Sequence, residues 1–329
     1  MGIRVSGIGG YVPAKTVTNF ELAMAVDTSN EWIISRTGIL ERRVAAPDEA
    51  PSDMGREAAL RCLANAGVDK SAVDLIIVAC ATPDQSQPAV ACMVQEKLGI
   101  SGGQCPSFDV NSVCAGFVFA LNVAQGMMMT DRARYKNVLV IGTDAFSKIL
   151  NWKDRRTCVF FGDGAGAVLL TQSEETDRRF HFHLGSDGRG REYIAVPGGG
   201  TRLPATPDVI EKRLNKFVMN GPKVWEFAVN TVPETIRSLL REHNLVPSDL
   251  DLLILHQSNL RMLEAIMATL ELPMEKTATT VESYGNTAAA SIPLTLQKAW
   301  ETGRLKPGMR VMLCGFGGGL SWGAALFTW

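Results

Sequence analysis

Three residues of this chain could together carry acyl-transfer chemistry: Cys114, His256 and Asn286 supply a soft nucleophile, an imidazole and a carboxamide. Cys114 lies in Ser107–Leu121, SFDVNSVCAGFVFAL. An apolar, β-favouring run, Pro106–Val110, passes through a small turn at Asn111–Ser112. Cys114–Ala115–Gly116 then opens an apolar helix that runs through Ala124. A cysteine at such a strand-to-helix turn meets unpaired backbone N–H groups and the positive end of the helix dipole, which favour a thiolate. Ala115 and Gly116 leave room for a carbonyl to approach the sulfur, and neighbouring N–H groups could hold an oxyanion. Cysteine is also among the most buried residue types. On this segment alone, a small core residue is the better reading.

The other two residues alter that balance. His256 ends the apolar strand Asp251–Leu255 and precedes Gln257–Ser258–Asn259, while Asn286 lies in the turn GNTAAAS. The remaining histidines carry less. His181 and His183 alternate on one face of a strand, FHFH, but no carboxylate or cysteine stands at ligand spacing, so no metal site is expected. His243 belongs to a polar helix end. The glycine run Gly315–Gly323, GFGGGLSWG, fits neither a Walker loop nor a strand–GxGxxG–helix order. It reads as close backbone packing, or as N–H groups completing an oxyanion hole. Gly162–Gly166 reads as a hairpin turn between Val159–Phe161 and Ala165–Leu170.

These residues need elements to hold them, and the chain supplies them twice. Ile3–Ile8, Asp74–Ala79 and Asn137–Gly142 read as strands; Asn19–Val26 (capped by Asn19), Ser52–Ala66 and Val90–Leu98 read as helices, with a further helical face carrying Trp32 and Arg36. After a polar, loop-rich stretch, Glu174–Leu214, the pattern returns. VDKSAVDLIIVACAT is echoed by LVPSDLDLLILHQSN, with Asp74 matching Asp251; SVCAGFVFAL is echoed by GNTAAASIPLTL, and KNVLVIGTDAF by GMRVMLCGFGG. Alternating strands and helices imply right-handed βαβ units and parallel sheets. Their duplication implies an α/β fold of two similar halves, residues 1–173 and 174–329, with strand ends facing one shared cleft. Cys114, His256 and Asn286, all at strand ends, should then converge.

A net charge of −1 argues against a nucleic-acid binder driven by bulk electrostatics. Seven scattered cysteines with no C-x-x-C suggest reduced thiols in a cytoplasmic setting. The N-terminus lacks the basic region and continuous apolar core of a signal peptide. No uncharged apolar run is read as membrane-spanning, so a soluble chain is expected.

SVCAGF, LHQSNLR, YGNTAAAS and GFGGGLSWG, with DTSNEWIISRTGILERR near the N-terminus, resemble the β-ketoacyl-acyl-carrier-protein synthase III family over essentially the whole chain. The resemblance implies a thiolase-like fold, five layers αβαβα, usually as a homodimer. It implies decarboxylative Claisen condensation of an acyl-CoA primer with malonyl-acyl carrier protein, initiating fatty acid synthesis without metal or organic cofactor. Cys114 matches the acylated nucleophile, and His256 and Asn286 the decarboxylation pair. Trp32 and Arg155 match residues that sandwich the adenine of coenzyme A, and Arg36 one near its phosphates. Gln257, Ser258, Asn259, Leu260 and Arg261 match the carrier-protein-docking segment. Gly318, with the N–H of Cys114, falls at the oxyanion hole, and Phe316 matches an aromatic lining the site. The chain departs from the family at Gln87, where an aromatic often lines the partner's acyl pocket, at Pro222, and at Leu320. These departures leave the primer open, along with a specialised relative that primes polyketides, forms an unusual β-keto acid or acylates another acceptor. A thiolase using Cys314 as second acid/base, and a non-catalytic acyl-CoA-binding protein, fit the HQSN and GNTAAAS segments less well.

Overall fold

The computed structural model describes residues 2–100, 103–175 and 178–329; part of the loop-rich stretch, 176–177, lies outside them. The first half runs β1 (Gly2–Tyr11), β2 (Lys15–Thr18), α1 (Asn19–Ala25), α2 (Asn30–Thr37), β3 (Glu41–Val44), α3 (Pro51–Ala66), β4 (Leu75–Ala79), α4 (Val90–Leu98), β5 (Ser107–Val110), α5 (Gly116–Thr130), β6 (Asn137–Ala145) and β7 (Asp163–Ser173). The second runs β8 (His181–Ser186), β9 (Ile194–Ala195), α6 (Pro207–Glu211), β10 (Val218–Met219), α7 (Gly221–Glu242), β11 (Leu252–Leu255), α8 (Leu260–Thr269), α9 (Val281–Tyr284), α10 (Ser291–Glu301), β12 (Arg310–Gly317) and β13 (Ser321–Thr328).

The central strands are legible as uninterrupted apolar runs because both faces are covered. Every residue of β4 and of β11 is buried. The first sheet has the order β1-β7-β6-β4-β5 and the second β8-β13-β12-β11. In both, the strands at one end are parallel (β4 with β5 and β6, β11 with β12), and the pairs β6–β7, β7–β1, β12–β13 and β13–β8 are antiparallel. Beyond β11, where the first sheet has β5, the second keeps a single parallel bridge, Leu253 to Thr277. The Asp74/Asp251 match has a structural basis. Asp74 Oδ2 accepts from Asn137 N at 2.8 Å and Asp251 Oδ2 from Arg310 N at 2.7 Å, so each carboxylate clamps the first residue of the neighbouring strand.

The layers follow from the contacts. α3 and α4 cover one face of the first sheet, α5 and α10 lie between the sheets, and α7 and α8 cover the far face of the second. The central core, with Ile77, Phe117, Leu121, Ile254, Ile292 and Leu313, fills the space around α5 and α10. This explains one departure from expectation. Val113–Thr130 is, by length and composition, apolar enough to cross a membrane, contrary to the reading above. More than half of that window is buried, because two sheets sandwich the helix and it needs no polar face.

Three local expectations are corrected. Gly9 and Gly10 do not end β1, which pairs with β7 through Tyr11. They are glycines because helices press on the strand from both faces: a Cβ on Gly9 would lie 2.3 Å from Cys62 N of α3, and one on Gly10 2.7 Å from Leu294 Cδ2 of α10. Helix α1 is capped by Thr18, in a capping box with Glu21, while buried Asn19 accepts from the Arg42 guanidinium at 2.9 Å. Residues 162–166 form no hairpin. Asp163 and Gly164 lie inside β7, and Gly162 meets the Asn286 turn instead.

Candidate active site

The turn that carries Cys114 is built twice. Between β5 and α5 lies a single 3₁₀ turn, Val113–Ala115; before α10 lies its counterpart, Ala288–Ala290. Each begins with a non-glycine residue in the left-handed region, Val113 at φ 46° and Ala288 at φ 48°, a conformation that costs of order 1 kcal/mol or more and must be held by its surroundings. Each is braced by an asparagine two residues earlier: Val113 N donates to Asn111 Oδ1 at 3.2 Å, Ala288 N to Asn286 Oδ1 at 2.9 Å. Asn286 is therefore the counterpart of Asn111, and Ala289 is the counterpart of Cys114. The repeat places the carboxamide three residues before the equivalent of Cys114.

Each turn docks on a glycine of the other half. A Cβ on Gly315 of β12 would lie 2.9 Å from Ala115 Cα, and one on Gly142 of β6 2.3 Å from Ala289 O. Two residues further along each strand the halves differ. In β6 stands Asp144, whose Oδ2 accepts from Ala289 N at 3.0 Å. In β12 stands Gly317, where a Cβ would meet Cys114 Cβ at 2.8 Å and Cys114 N at 3.1 Å. The carboxylate on the Ala289 N–H thus marks where an anionic oxygen would sit on the Cys114 N–H, and glycine leaves that place clear. Gly317 lines the cavity. Gly318 packs instead on Ile194 and Val113, with a Cβ there 3.3 Å from each.

Cys114, His256 and Asn286 line one cavity of about 580 Å³, with Trp32, Arg36, Pro222 and Phe316 among its other walls. His256, whose backbone N–H donates to the Cys314 carbonyl at 2.8 Å, points Nδ1 to Ser291 Oγ at 2.7 Å and meets the edge of the Phe316 ring at 5.1 Å between centroids. Burial lowers its pKa to about 3, so the imidazole is neutral. Asn286 is fixed by its backbone, N to Phe160 O at 2.8 Å and O from Gly162 N at 3.0 Å. With Oδ1 taken by Ala288 N, its NH2 is the end left for a ligand.

Cys114 does not rest as a thiolate. Burial, then the nearby Asp144 charge, pushes its thiol well above the ordinary range. Cys114 itself lies in the 3₁₀ turn, and the α-helix proper starts only at Gly116. Asp144 itself is raised to about 6 by burial, against hydrogen bonds from Thr82, Ala289 and Ala81.

The other expected residues divide. Arg155 stacks on Trp32, its guanidinium carbon 5.2 Å from the ring centroid, and donates to Asp27 O at 2.7 Å. A base between the two needs roughly 7 Å, twice a ~3.5 Å contact, so the slot is closed as it stands. In the 257–261 segment, Gln257 is buried, accepting from Thr280 N at 2.9 Å. Ser258 and Asn259 wall the cavity, and Asn259 also caps α8. Leu260 packs where a Cβ on Gly38 would fall. Arg261, half-exposed, is bound to Glu264 and to the carbonyl of Ser35 at 3.1 Å. Phe316 lines the cavity; Leu320 does not, and packs on Gly190, where a Cβ would lie 2.6 Å from Leu320 Cγ. Gln87 sits on an exposed loop away from the cavity. Cys314 is fully buried in β12 and is not part of the lining. Among the described residues no group of three His, Cys, Asp or Glu side chains is placed to hold a metal; His183 instead meets Glu242 at 3.1 Å, and the His181 ring lies against His243.

Sequence reasoning missed an aromatic cluster at Cys114. Phe146 stacks on Phe161 at 4.7 Å between centroids, and Phe217 meets both edge-on. Phe146, just past the end of β6, obeys the same strand-end rule that found His256; Phe217 carried no signal.

Comparison with known proteins gives the family. The family model for 3-oxoacyl-[acyl-carrier-protein] synthase III matches residues 108–188, and that for its C-terminal region residues 240–329. A β-ketoacyl-[acyl-carrier-protein] synthase III of Caldanaerobacter subterraneus subsp. tengcongensis is 42% identical over 325 residues, covering 99% of this chain and 97% of that protein. The chain belongs to the β-ketoacyl-acyl-carrier-protein synthase III family. The crystal structure of the Aquifex aeolicus synthase III matches with a TM-score of 0.91 and 37% identity, covering 100% of both chains. The priming β-ketosynthase of the R1128 polyketide pathway matches with a TM-score of 0.89 and 31% identity, covering 99% of this chain and 96% of that one. The fold is accordingly thiolase-like, and the protein is an acyl-transferring condensing enzyme of the kind that initiates fatty acid synthesis from an acyl-CoA primer and malonyl-acyl carrier protein.

Proposed function

We propose that Cys114 carries the primer, that His256 and Asn286 decarboxylate the extender, and that the N–H of Cys114 with the backbone of the 317–318 turn holds the oxyanion. The observation that carries this reading is the convergence of sulfur, imidazole and carboxamide on one cavity from two repeated turns and a strand end. In the first half-reaction Cys114 sulfur bonds to the acyl carbon; the C–S bond to coenzyme A breaks, and the thiol proton leaves with it. Preorganised N–H donors to the tetrahedral oxygen are each worth ~2.7–4 kcal/mol. In the second, malonyl-acyl carrier protein loses CO2, and the electron pair moves onto the thioester oxygen. Neutral His256 and the Asn286 NH2 donate to that oxygen without first taking a proton from solvent. The carbanion attacks acyl-Cys114, releasing the β-ketoacyl product and the cysteine thiolate, in ping-pong order.

Around this centre, Trp32 and Arg155 open to hold the adenine, and Arg36 meets the phosphates. Arg261, with the 257–261 segment behind it, receives the carrier protein. Phe146, Phe161, Phe217 and Phe316 shape a short acyl pocket, and in a homodimer Gln87 would face the partner's pocket. The halves 1–173 and 174–329 act as one catalytic unit in the cytoplasm. Priming of a polyketide would use the same steps, and Gln87 is the feature that favours weighing it; a panel of acetyl-, branched and longer acyl-CoA thioesters against malonyl-carrier protein separates the two. Intact-mass measurement after incubation with acyl-CoA tests the core assignment. One acyl adduct is expected on the wild-type chain and none on Cys114→Ala; an adduct persisting on that variant refutes it.

A further inference from the structure

The pseudo-repeat isolates one side chain that the mechanism above leaves unused. Counting along the paired strands from the Asp74/Asp251 clamp, His256 is the counterpart of Ala79; counting through the two 3₁₀ turns, Ser291 is the counterpart of Gly116. In the first half that pair is chemically blank: a Cβ on Gly116 would sit 3.2 Å from the Ala79 methyl. In the second half the same two positions hold an imidazole and a hydroxyl in contact, His256 Nδ1 to Ser291 Oγ at 2.7 Å, both residues buried.

We propose that Ser291 is a positioning residue that sets the tautomer of His256, donating its hydroxyl proton to Nδ1 and so placing the ring proton on Nε2, facing the cavity. The hydrogen inventory decides the direction. A neutral imidazole has one donor nitrogen and one acceptor. Were Nδ1 the donor, the Ser291 hydroxyl hydrogen would need another acceptor, and among the described residues Ser291 Oγ has no partner but His256. With the serine donating, every polar hydrogen of the pair is used, and the remaining N–H is the one a substrate oxygen can accept. Burial keeps the ring neutral, so the choice between tautomers is left to this single contact. The equivalent pair in the first half, Ala79 and Gly116, has no group for this task, which matches the placing of decarboxylation donors in the second half.

This inference rests on the proposed role of His256 as an N–H donor, and the test separates the two. ¹⁵N-histidine-labelled enzyme is measured by NMR, with His256→Ala identifying its signals. The wild-type spectrum is expected to show the proton on Nε2; a proton on Nδ1 overturns the proposal without any variant of Ser291. In Ser291→Ala the Nε2–H population should fall and kcat for condensation drop about tenfold, the worth of one hydrogen bond, with acyl loading of Cys114 and kcat/KM for acyl-CoA unchanged. Ser291→Thr, which keeps the hydroxyl, should restore the tautomer and most of the rate. An unchanged tautomer and rate in Ser291→Ala overturns the role of Ser291 alone. Full condensation by His256→Ala overturns the role of His256 itself.

Discussion

Gly317→Ala adds one methyl group where the two halves of the pseudo-repeat differ most. The new Cβ would lie 2.8 Å from Cys114 Cβ, 3.1 Å from Cys114 N and 3.2 Å from Cys114 Sγ. Real side chains do not accept the first of these distances, so either the nucleophile's turn or the β12 end must shift. That turn is held by a left-handed Val113 and by Gly315 pressed on Ala115, and has little room to give. The methyl also covers the Cys114 N–H on the side where, in the other turn, the Asp144 carboxylate sits at 3.0 Å from Ala289 N. Loss of one oxyanion donor costs ~2.7–4 kcal/mol, or about 10²–10³ in rate, while overpacking costs ~1–3 kcal/mol of stability. Rapid-quench mass spectrometry of acyl-Cys114 formation from acetyl-CoA should therefore show at least about 100-fold slower loading, with a thermal midpoint lowered by only a few degrees. Loading within a few-fold of wild type by a folded Gly317→Ala chain would refute the oxyanion geometry argued from the repeat.

Other outcomes follow from the same site. Because burial and Asp144 raise the Cys114 thiol, alkylation of Cys114 by iodoacetamide should climb about tenfold per pH unit from pH 6 to 9 without levelling; a plateau below pH 8 would mean a stabilised thiolate. Phe146→Ala should shift the octanoyl-to-acetyl loading ratio upward by about tenfold or more, at a stability cost of ~3–5 kcal/mol; an unchanged ratio would remove the aromatic cluster from primer selection. Asp27→Ala frees Arg155 from its exposed ion pair, and the KM for acyl-CoA should fall by a few-fold at most; a rise in KM would show that the pair aids binding rather than closing the adenine slot. Arg261→Glu should weaken use of malonyl-acyl carrier protein while acyl-CoA loading stays near wild type; equal loss of both would count against docking at Arg261.

The architecture was legible wherever burial leaves a periodic mark. β4 and β11 are apolar throughout because layers cover both faces, and the Asp74/Asp251 echo exists because each carboxylate caps an adjoining strand. Glycines were harder to read. Gly9 serves the approach of α3, and Gly162, where a Cβ would lie 2.1 Å from Tyr284 O, serves the approach of the Asn286 turn; composition alone makes both look like turns. The convergence of Cys114, His256 and Asn286 followed from strand-end logic; the residue-by-residue register of the two turns, with Ala289 as the counterpart of Cys114, came only from the structure. Asp144 and Gly317 act through contacts between halves, and Ser291 through a contact with His256 from 35 residues away, which no local pattern encodes. Phe217, from the loop-rich middle, reaches Phe146 and Phe161 only through tertiary folding.

The central claim is that one thioester oxygen meets both His256 and Asn286 beside an acylated Cys114. Release of labelled CO2 from malonyl-acyl carrier protein, measured on acyl-loaded enzyme, tests it most directly. The wild-type chain should release CO2 and product together, while His256→Ala and Asn286→Ala hold their acyl adducts and release little CO2. Wild-type CO2 release by either variant would contradict the account.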